Sequence, residues 1–183
     1  MVDLLRYISD TKDIAITYGG PLIPGSSVNQ VQLFADADFS RNPDIKKSRS
    51  GFVIFLNGGA IAWKSKLQTR IAMSTTEAEL YAMYAGVEQV LWFREFLGQL
   101  GFPQGSVPCH EDNSGLIHWI TNHSSNSNML SIPAQYYRLR SDRDSGACHF
   151  LHVITQLQRA DLFTKQMDFS VFIQQFNMLF NIV

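Results

Sequence analysis

Apolar positions that recur with the periods of strands and helices divide the central part of the chain into successive elements. Two strand-like apolar runs flank Asn57-Gly58-Gly59, and Asn-Gly supplies the positive φ angles that a tight hairpin turn needs. A helical pattern then starts at Ser74 and reaches about Leu100, where Gly101-Phe102-Pro103 ends it. We therefore predict a helix at 74–100 that follows three strands, at 30–37, 51–56 and 60–66.

Strand-like and helical segments alternate in the second half of the chain, without any internal repeat. Residues 122–128 are polar and are predicted to form a loop. The pattern predicts a strand at 107–111, helices at 114–121 and 134–142, a strand at 148–155 and a last helical stretch from 159 onward. This order predicts an α/β fold with a five-stranded mixed sheet, three antiparallel strands and then parallel strands, flanked by helices.

The first 27 residues have a different character from the rest of the chain. Residues 2–9 have the pattern of a short amphipathic helix and residues 14–18 that of a strand, while 19–27 are rich in glycine and proline. A segment of this size is too small to bury a core of its own. We therefore interpret 1–27 as the tail of an upstream domain with its linker, and 28–183 as the main domain.

Composition limits the classes of function that the chain can have. The 183 residues are 45% hydrophobic and carry a net charge of −1, which excludes a disordered tail and a polybasic grip on nucleic acid. Two cysteines in apolar runs, Cys109 and Cys148, are typical of buried reduced thiols, so we expect a cytoplasmic or nuclear protein rather than a secreted one. The longest run of large apolar residues, 52–56, is too short to cross a bilayer.

Four acidic residues stand beside the ends of predicted elements. They close the first strand, open the long helix, follow the fourth strand and begin the last helical stretch, in that order: Asp36, Glu79, Asp112 and Asp161. Phosphodiester hydrolysis with two divalent ions about 4 Å apart needs oxygen ligands of this kind from several separate elements. We predict that these carboxylates bind two metal ions and that Asp36 is shared between the ions.

Neighbouring acids compete for two of these roles. Asp38 lies on the same face of the strand as Asp36, but its position before a turn gives it a structural explanation. Glu77 lies three residues after Ser74 and completes a capping box, so we assign the metal-binding role to Glu79. Glu79 shares its helical face with two small residues that would let the helix approach the sheet closely, Ala82 and Gly86.

The other two acids have alternatives that depend on helix capping. Asp112 could cap the helix that follows it, but Asn113 and Ser114 can cap that helix instead. We therefore assign the ligand role to Asp112 rather than to Glu111. Asp161 could also act as a first-turn acid favoured by the helix dipole.

A short basic edge follows the third strand. Its side chains either remain solvated or contact a nucleic-acid backbone without reading its sequence: Lys64, Lys66, Gln68 and Arg70. Asn113, next to Asp112, is a fifth candidate for substrate contact, and His123 in the polar loop could shuttle a proton. The sequence contains no zinc-like spacing of His and Cys, no glycine-rich phosphate loop and no serine elbow.

Five blocks of the sequence resemble the signature blocks of one family. They are FADADF at 34–39, KSRSGF at 47–52, IAWKSK at 61–66, MSTTEAEL at 73–80 and ADLFTK at 160–165. This family is the ribonuclease H domain at the C-terminal end of Pol polyproteins in copia-type LTR retrotransposons. Residues 4–13 resemble the end of the reverse transcriptase that precedes that domain.

The resemblance implies a fold, an activity and partners. It implies the ribonuclease H fold, with the first strand central and beside the fourth, and hydrolysis of the RNA strand of RNA–DNA hybrids. It implies that two Mg²⁺ ions, which Mn²⁺ can replace, are bound by Asp36, Glu79, Asp112 and Asp161. It also implies a reverse transcriptase domain in cis as a partner, and a place in a cytoplasmic virus-like particle or in the nucleus.

One region departs from the family, and two other functions compete with hybrid cleavage. Residues 131–140 replace a family block of basic, His and Asp positions, which affects substrate positioning but spares the metal ligands. The first alternative is a catalytically silent or domesticated module that braces a reverse transcriptase or binds nucleic acid. The second is DNA strand transfer, but integrases use three acids that end in a glutamate on a late helix. The intact set of four acids favours the nuclease.

Overall fold

A computed structural model describes residues 2–39, 46–122 and 133–180 of the chain. Two short turns of 3-10 helix, Thr155–Leu157 and Asp161–Phe163, lie between the last strand and the last helix. The other elements are, in chain order, α1 (Val2–Thr11), β1 (Val31–Asp38), β2 (Arg49–Leu56), β3 (Gly59–Leu67), α2 (Thr75–Gln99), β4 (Val107–Glu111), α3 (Ser114–Thr121), α4 (Ala134–Asp144), β5 (Cys148–His152) and α5 (Phe169–Phe180).

The five strands form one mixed sheet in the order β3-β2-β1-β4-β5. The pairs β1–β2 and β2–β3 are antiparallel, and the pairs β1–β4 and β4–β5 are parallel. This topology confirms the predicted fold class and the central position of β1 beside β4. The first seven residues of β1 are buried because both faces of the central strand are covered.

Side chains of β1 alternate between the two faces of the sheet. Leu33 and its odd-numbered neighbours pack on the α2 side, in a core that includes Leu80, Met83 and Val87. Phe34 points to the opposite face, where its buried neighbours are Ile23, Val53, Phe55, Ala60 and Ala160. Asp36 follows Phe34 with the period of a strand and is fully buried.

Helix α2 lies very close to β1. A Cβ atom added at Gly86 would stand 2.7 Å from Leu33 Cδ1, which is too short for two carbon atoms. The predicted small-residue face of the helix therefore does allow the approach to the sheet. Both Ala82 and Gly86 are buried on that face, one and two turns after Glu79.

Two segments differ from the sequence prediction. The strand predicted at 14–18 is not formed, because its backbone amides donate to partners outside the sheet: the Ile14 amide donates to the Thr11 carbonyl and the Thr17 amide to the Phe180 carbonyl. The strand predicted at 148–155 ends at His152, and the helical stretch predicted from 159 is a short 3-10 turn followed by α5.

Part of the N-terminal segment packs against the main sheet. Ile23 is buried among apolar side chains of β1, β2 and β3, and the Tyr18 hydroxyl donates to the Ala60 carbonyl at 2.7 Å. The division of the chain at residue 27 stays a prediction. No helix in the described part of the chain is long and apolar enough to cross a membrane.

Candidate metal centre

The centre lies at the edge of the sheet where β1 and β4 end. The two strands are parallel neighbours, with Leu33 opposite Cys109 and Phe34 opposite His110. Asp36 lies two residues after Phe34 on β1, and Asp112 lies two residues after His110, just past the end of β4, so the two acids meet at the same edge. Chain topology alone brings these two acids together, although 75 residues separate them in the sequence.

The four predicted acids converge there in two overlapping groups. Asp36, Asp112 and Asp161 each offer an oxygen within 4.8 Å of the others, and we call these three residues the Asp161 group. The Glu111 group consists of Glu79, Glu111 and Asp112, which meet the same distance limit. The sequence predicts Asp36 as the shared ligand, whereas the acid common to both groups in the structure is Asp112. Metal binding by these acids stays a prediction.

Asp36 is held by two side chains of the ADLFTK block. The Lys165 ammonium donates to Asp36 Oδ1 at 3.0 Å, and the Thr164 hydroxyl donates to Asp36 Oδ2. Burial raises the pKa of Asp36, and the charge of Lys165 and the hydroxyl of Thr164 oppose that rise. The carboxylate is thus fixed in orientation by donors that lie more than 120 residues away.

Asp161 shares the same lysine with Asp36. Lys165, one helical turn further along the chain, donates to Asp161 Oδ1 at 2.8 Å. Burial raises the pKa of Asp161 to about 6, and the hydrogen bond from Lys165 works against this rise. Lys165 thus bridges two members of the Asp161 group.

Glu79 and Glu111 form no ion pair with any cationic side chain in the described ranges. Burial, reinforced by the negative charge of Glu111, raises the pKa of Glu79 to about 11. Burial also raises the pKa of Glu111 well above its ordinary value, although its Oε1 accepts the Asn113 amide at 3.1 Å. One oxygen of each side chain, Glu79 Oε2 and Glu111 Oε2, is buried and has no hydrogen-bond partner among the described residues. Unpaired buried oxygens are costly, and a bound cation would satisfy both of them.

Glu111 is also a member of the centre, although the sequence prediction assigned it no role. It is completely buried, on the same face of β4 as Cys109. An acid at an inward position of a buried strand was the signal that could have identified it, because such acids are rare unless they are paired or bind a metal.

Glu77 has the structural role that the sequence predicts. Its amide donates to Ser74 Oγ at 3.1 Å, and Ser74 is the N-cap of α2. The Glu77 carboxylate reaches back to the amide of Met73 at 2.7 Å, one residue before the position expected of a capping box, and accepts the Tyr81 hydroxyl at 2.6 Å. These contacts direct Glu77 away from the metal centre.

Two further expectations concern the residues beside the predicted ligands. Asn113 caps α3, since its Oδ1 accepts the Leu116 amide at 3.0 Å. Asp112 is therefore not needed for that cap, while substrate contact by Asn113 stays a prediction. Asp38 is exposed at the end of β1. His123 lies outside the described residues.

The predicted basic edge forms one side of a groove between β3 and α2. The groove has a volume of about 270 Å³, and Lys64, Lys66 and Arg70 line it with exposed side chains. Gln68 lines it as well but is buried, and its amide donates to Ser50 Oγ at 2.8 Å and to the Ala78 carbonyl at 2.9 Å. Gln68 therefore connects β2, β3 and α2, and substrate contact by these four residues stays a prediction.

Two residues that the sequence prediction left without a role position the turn that carries Asp161. Gln158 is fully buried; its amide donates to the Ala35 carbonyl at 2.9 Å, and its Oε1 accepts the Ala160 amide at 3.2 Å. Gly51 pairs with Asp36 in the sheet, and a Cβ there would stand 2.6 Å from Thr164 Cγ2. The turn can therefore lie over Asp36 only because residue 51 has no side chain.

The chain matches a segment of several curated retrovirus-related Pol polyproteins, although no protein-family model matches it. It is 31% identical over 164 residues to the polyprotein of transposon TNT 1-94 from Nicotiana tabacum, which covers 88% of this chain and 12% of that protein. It is 31% identical over 163 residues to the polyprotein of transposon RE2 from Arabidopsis thaliana. This match covers 88% of this chain and 11% of that protein. The chain spans only about a tenth of the length of these curated relatives. The resemblance to Pol polyproteins of the copia type is confirmed.

Solved structures confirm the ribonuclease H fold. LC11-RNase H1 in complex with an RNA/DNA hybrid superposes with a TM-score of 0.55 at 15% identity, over 74% of this chain and 94% of that chain. The foamy viral protease-reverse transcriptase in complex with an RNA/DNA hybrid superposes with a TM-score of 0.57 at 10% identity, over 79% of this chain and 21% of that chain.

Proposed function

Because the chain is a homologue of a segment of retrovirus-related Pol polyproteins and has the ribonuclease H fold, we propose that it is a metal-dependent endonuclease. Its substrate is the RNA strand of RNA–DNA hybrids made during reverse transcription, and it uses two metal ions. The observation that carries this proposal is the pair of buried oxygens of Glu79 and Glu111 beside Asp112, neither of which has a hydrogen-bond partner among the residues that the structure describes.

The residues of the centre fit divalent ions with a preference for oxygen. All the candidate ligands are carboxylates, which suit Mg²⁺ and Mn²⁺ and do not suit softer metals. Asp36, Asp112 and Asp161 would hold one ion, and Glu79, Glu111 and Asp112 the other. When bound, such ions neutralise the charge of the phosphodiester and activate a water molecule for attack.

The remaining residues of the site orient the carboxylates and the substrate. Thr164 fixes one oxygen of Asp36, while Gln158 ties the turn that carries Asp161 to β1. Lys64, Lys66 and Arg70 would contact phosphates of the hybrid along the groove, because exposed cations bind a nucleic-acid backbone irrespective of base sequence.

A reverse transcriptase domain upstream in the same polypeptide is the proposed partner. The curated relatives are about ten times longer than the matching segment, and they are Pol polyproteins. Binding of the template duplex by such a domain would hold the hybrid near the metal centre.

The proposal is tested with an RNA–DNA hybrid that carries a label on the RNA strand. We expect the purified chain to cleave the RNA when Mg²⁺ or Mn²⁺ is present and to stop when a chelator is added in excess. Asp36→Asn should abolish cleavage, whereas Asp38→Asn, at the exposed end of the same strand, should retain it.

Two outcomes would contradict the nuclease. Cleavage in excess chelator, or by Asp36→Asn at the unaltered rate, would rule out the metal centre as the source of activity. Binding of the hybrid without any metal-dependent cleavage would favour the alternative, a silent module that braces a polymerase. An RNA–RNA duplex of the same sequence controls for nonspecific ribonuclease.

A further inference from the structure

The two groups of acids differ in the positive charge that each already holds. Lys165 lies 3.0 Å from Asp36 Oδ1 and 2.8 Å from Asp161 Oδ1, so its ammonium stands between two of the three acids of the Asp161 group. The Asp161 group thus already contains an ammonium group of the protein, placed between two of its carboxylates.

The Glu111 group is not neutralised in this way. Glu79 is 7% exposed and Glu111 is fully buried, and each has a buried Oε2 without a hydrogen-bond partner among the described residues. The three acids offer oxygens within 4.8 Å of one another, so their negative charges repel each other when they are ionised. A divalent ion that binds here would relieve this repulsion, and no cationic side chain in the described part of the chain has to leave these acids first.

We propose that Lys165 is a built-in counter-cation of the Asp161 group, and that divalent ions therefore bind in a fixed order. The first ion binds the Glu111 group. The second ion binds the Asp161 group only after the Lys165 ammonium has left Asp36 and Asp161. This inference rests on the metal use proposed above and adds to it the regulation of the second site by a residue of the chain.

The physical reason is competition for the same oxygen atoms. Asp36 Oδ1 and Asp161 Oδ1 both accept from Lys165, so the ammonium group occupies space between two of the carboxylates that would hold an ion. A divalent ion and an ammonium group at contact distance also repel each other strongly in a partly buried site. Lys165 can leave, since its side chain is 35% exposed and its stem is flexible.

The order is tested with Mn²⁺ alone, without nucleic acid, by counting free Mn²⁺ with electron paramagnetic resonance during a titration. We expect the wild-type protein to bind two ions, one more tightly than the other. In Lys165→Met, which keeps the stem and removes the charge, the weaker constant should improve by about tenfold, and the tighter one should change less. In Lys165→Arg, which keeps the charge, two constants of unequal strength should remain.

A second variant assigns the tighter site. Glu111→Gln should weaken the tighter constant and spare the weaker one, because it removes a charge from the Glu111 group only. Lys12→Met serves as the matched control, since Lys12 is exposed after α1 and its loss changes the net charge equally. Neither constant should move in this control. Thermal unfolding in excess chelator checks that each variant is folded, and Lys165→Gln replaces Lys165→Met if that variant is not.

Several outcomes would overturn the inference. An unchanged or weakened second constant in the neutral Lys165 variant would do so, as would equal tightening of both constants. If the wild-type protein binds no Mn²⁺, the proposed metal-dependent function fails together with the inference. If the wild-type protein binds two ions and cleaves hybrid but the Lys165 variant behaves like it, only the inference fails.

Discussion

At the scale of single residues, burial separates the two glutamates at the start of α2. Glu77 is partly exposed and uses its carboxylate to accept from Met73 and Tyr81. Glu79 is buried, and burial raises its pKa to about 11. The same residue type thus has a capping role at one position and a candidate ligand role two positions later.

We expect Glu79→Gln to lose turnover in hybrid cleavage and Glu77→Gln to retain it. Glu79→Gln should lower the turnover number for hybrid cleavage by about a hundredfold or more, because it removes a ligand. It should change the stability of the metal-free protein by less than about 1 kcal/mol, because glutamine has nearly the same size as glutamate and adds no buried charge. Glu77→Gln should retain turnover, since glutamine also completes a capping box. Retained turnover in Glu79→Gln with loss in Glu77→Gln would show that the ligand lies two residues earlier.

His110 is a second residue whose surroundings set its charge. Its ring stacks on Phe34 at a centroid distance of 4.2 Å, and its Nε2 lies 3.2 Å from Gln32 Oε1. Burial, followed by the positive charges of His149 and Arg159, lowers the pKa of His110 to about 4. The folded protein therefore keeps this imidazole neutral at a pH where the unfolded chain protonates it.

This shift predicts a loss of stability in acid. Below the ordinary pKa of 6.5 the unfolded chain takes up a proton that the folded protein refuses until about pH 4, so the free energy of unfolding falls across that interval. The full effect of His110 amounts to about 3 kcal/mol. Urea unfolding of wild type and His110→Gln at about pH 7.5 and about pH 4.5 should give a difference in stability that shrinks in acid. A difference that is equal at both pH values would assign the acid sensitivity to other groups.

At the scale of elements, the position of a short turn determines where Asp161 and Lys165 lie in the candidate metal centre. The 3-10 turn Asp161–Phe163 is held to β1 by Gln158 and packs over β2 at Gly51. Because β2 pairs with β1 at Asp36 and Gly51, the turn comes to lie directly beside the buried aspartate. The position of Asp161 and Lys165 therefore depends on space on a neighbouring strand.

Gly51→Ala should displace this turn. The added methyl group would stand 2.6 Å from Thr164 Cγ2 and 2.8 Å from Phe163 Cβ, so the turn has to move away from Asp36. We expect a loss of about 1–3 kcal/mol in unfolding free energy and a large drop in turnover for the fraction that remains folded. Chemical unfolding and hybrid cleavage measure the two effects.

Gly98→Ala is the matched control for this substitution. Gly98 is exposed near the end of α2, and a Cβ there would meet nothing within 4 Å. Alanine favours the helix, so this variant should be more stable by up to about 1 kcal/mol and unchanged in turnover. Equal behaviour of the two variants would contradict the positioning role of Gly51.

At the scale of the whole molecule, charge limits how well the chain can hold a nucleic acid. The net charge is −1, and the basic side chains predicted to contact phosphates are three in number: Lys64, Lys66 and Arg70. Since phosphate contacts provide most of the affinity for a duplex, few such contacts mean weak binding. Attachment to a domain that binds the hybrid, as proposed above, would compensate for this weakness.

We therefore expect the isolated chain to bind an RNA–DNA hybrid weakly. The slope of log K against log salt should be about −3 or shallower, because no more than three counterions are released by these side chains. Fluorescence anisotropy at several salt concentrations measures this slope. Tight binding with a much steeper slope would indicate a basic surface elsewhere on the molecule.

Fusion to the reverse transcriptase domain of a related Pol polyprotein, joined through residues 2–18, should lower the apparent KM for cleavage. The turnover number should change less, because the metal centre is the same in both proteins. A fusion to an inert domain of similar size controls for effects of the linker. Equal KM values in the two fusions would contradict dependence on a partner.

Most elements and four of the acids could be predicted from the sequence because they depend on local patterns. The turn at Asn57-Gly58-Gly59, the cap at Ser74 and the bounds of α3 follow from residues that are neighbours in the chain. The segments 14–18 and 159–168 could not be predicted, because each depends on a remote partner: the Thr17 amide donates to the Phe180 carbonyl, and the Phe163 carbonyl accepts from the Ser65 hydroxyl. The hydrophobic periodicity of the sequence does not indicate contacts between residues that are far apart in the chain.

Only the tertiary structure decided how the acids are grouped and what holds them. Lys165 contacts Asp36 from a distance of 129 residues along the chain, and Glu111 becomes part of the centre because β4 is covered on both faces. Residue type alone does not determine whether a carboxylate is paired with a lysine or buried without a partner. Desolvation and Coulomb interactions depend on the three-dimensional surroundings of each group, and only the fold creates those surroundings.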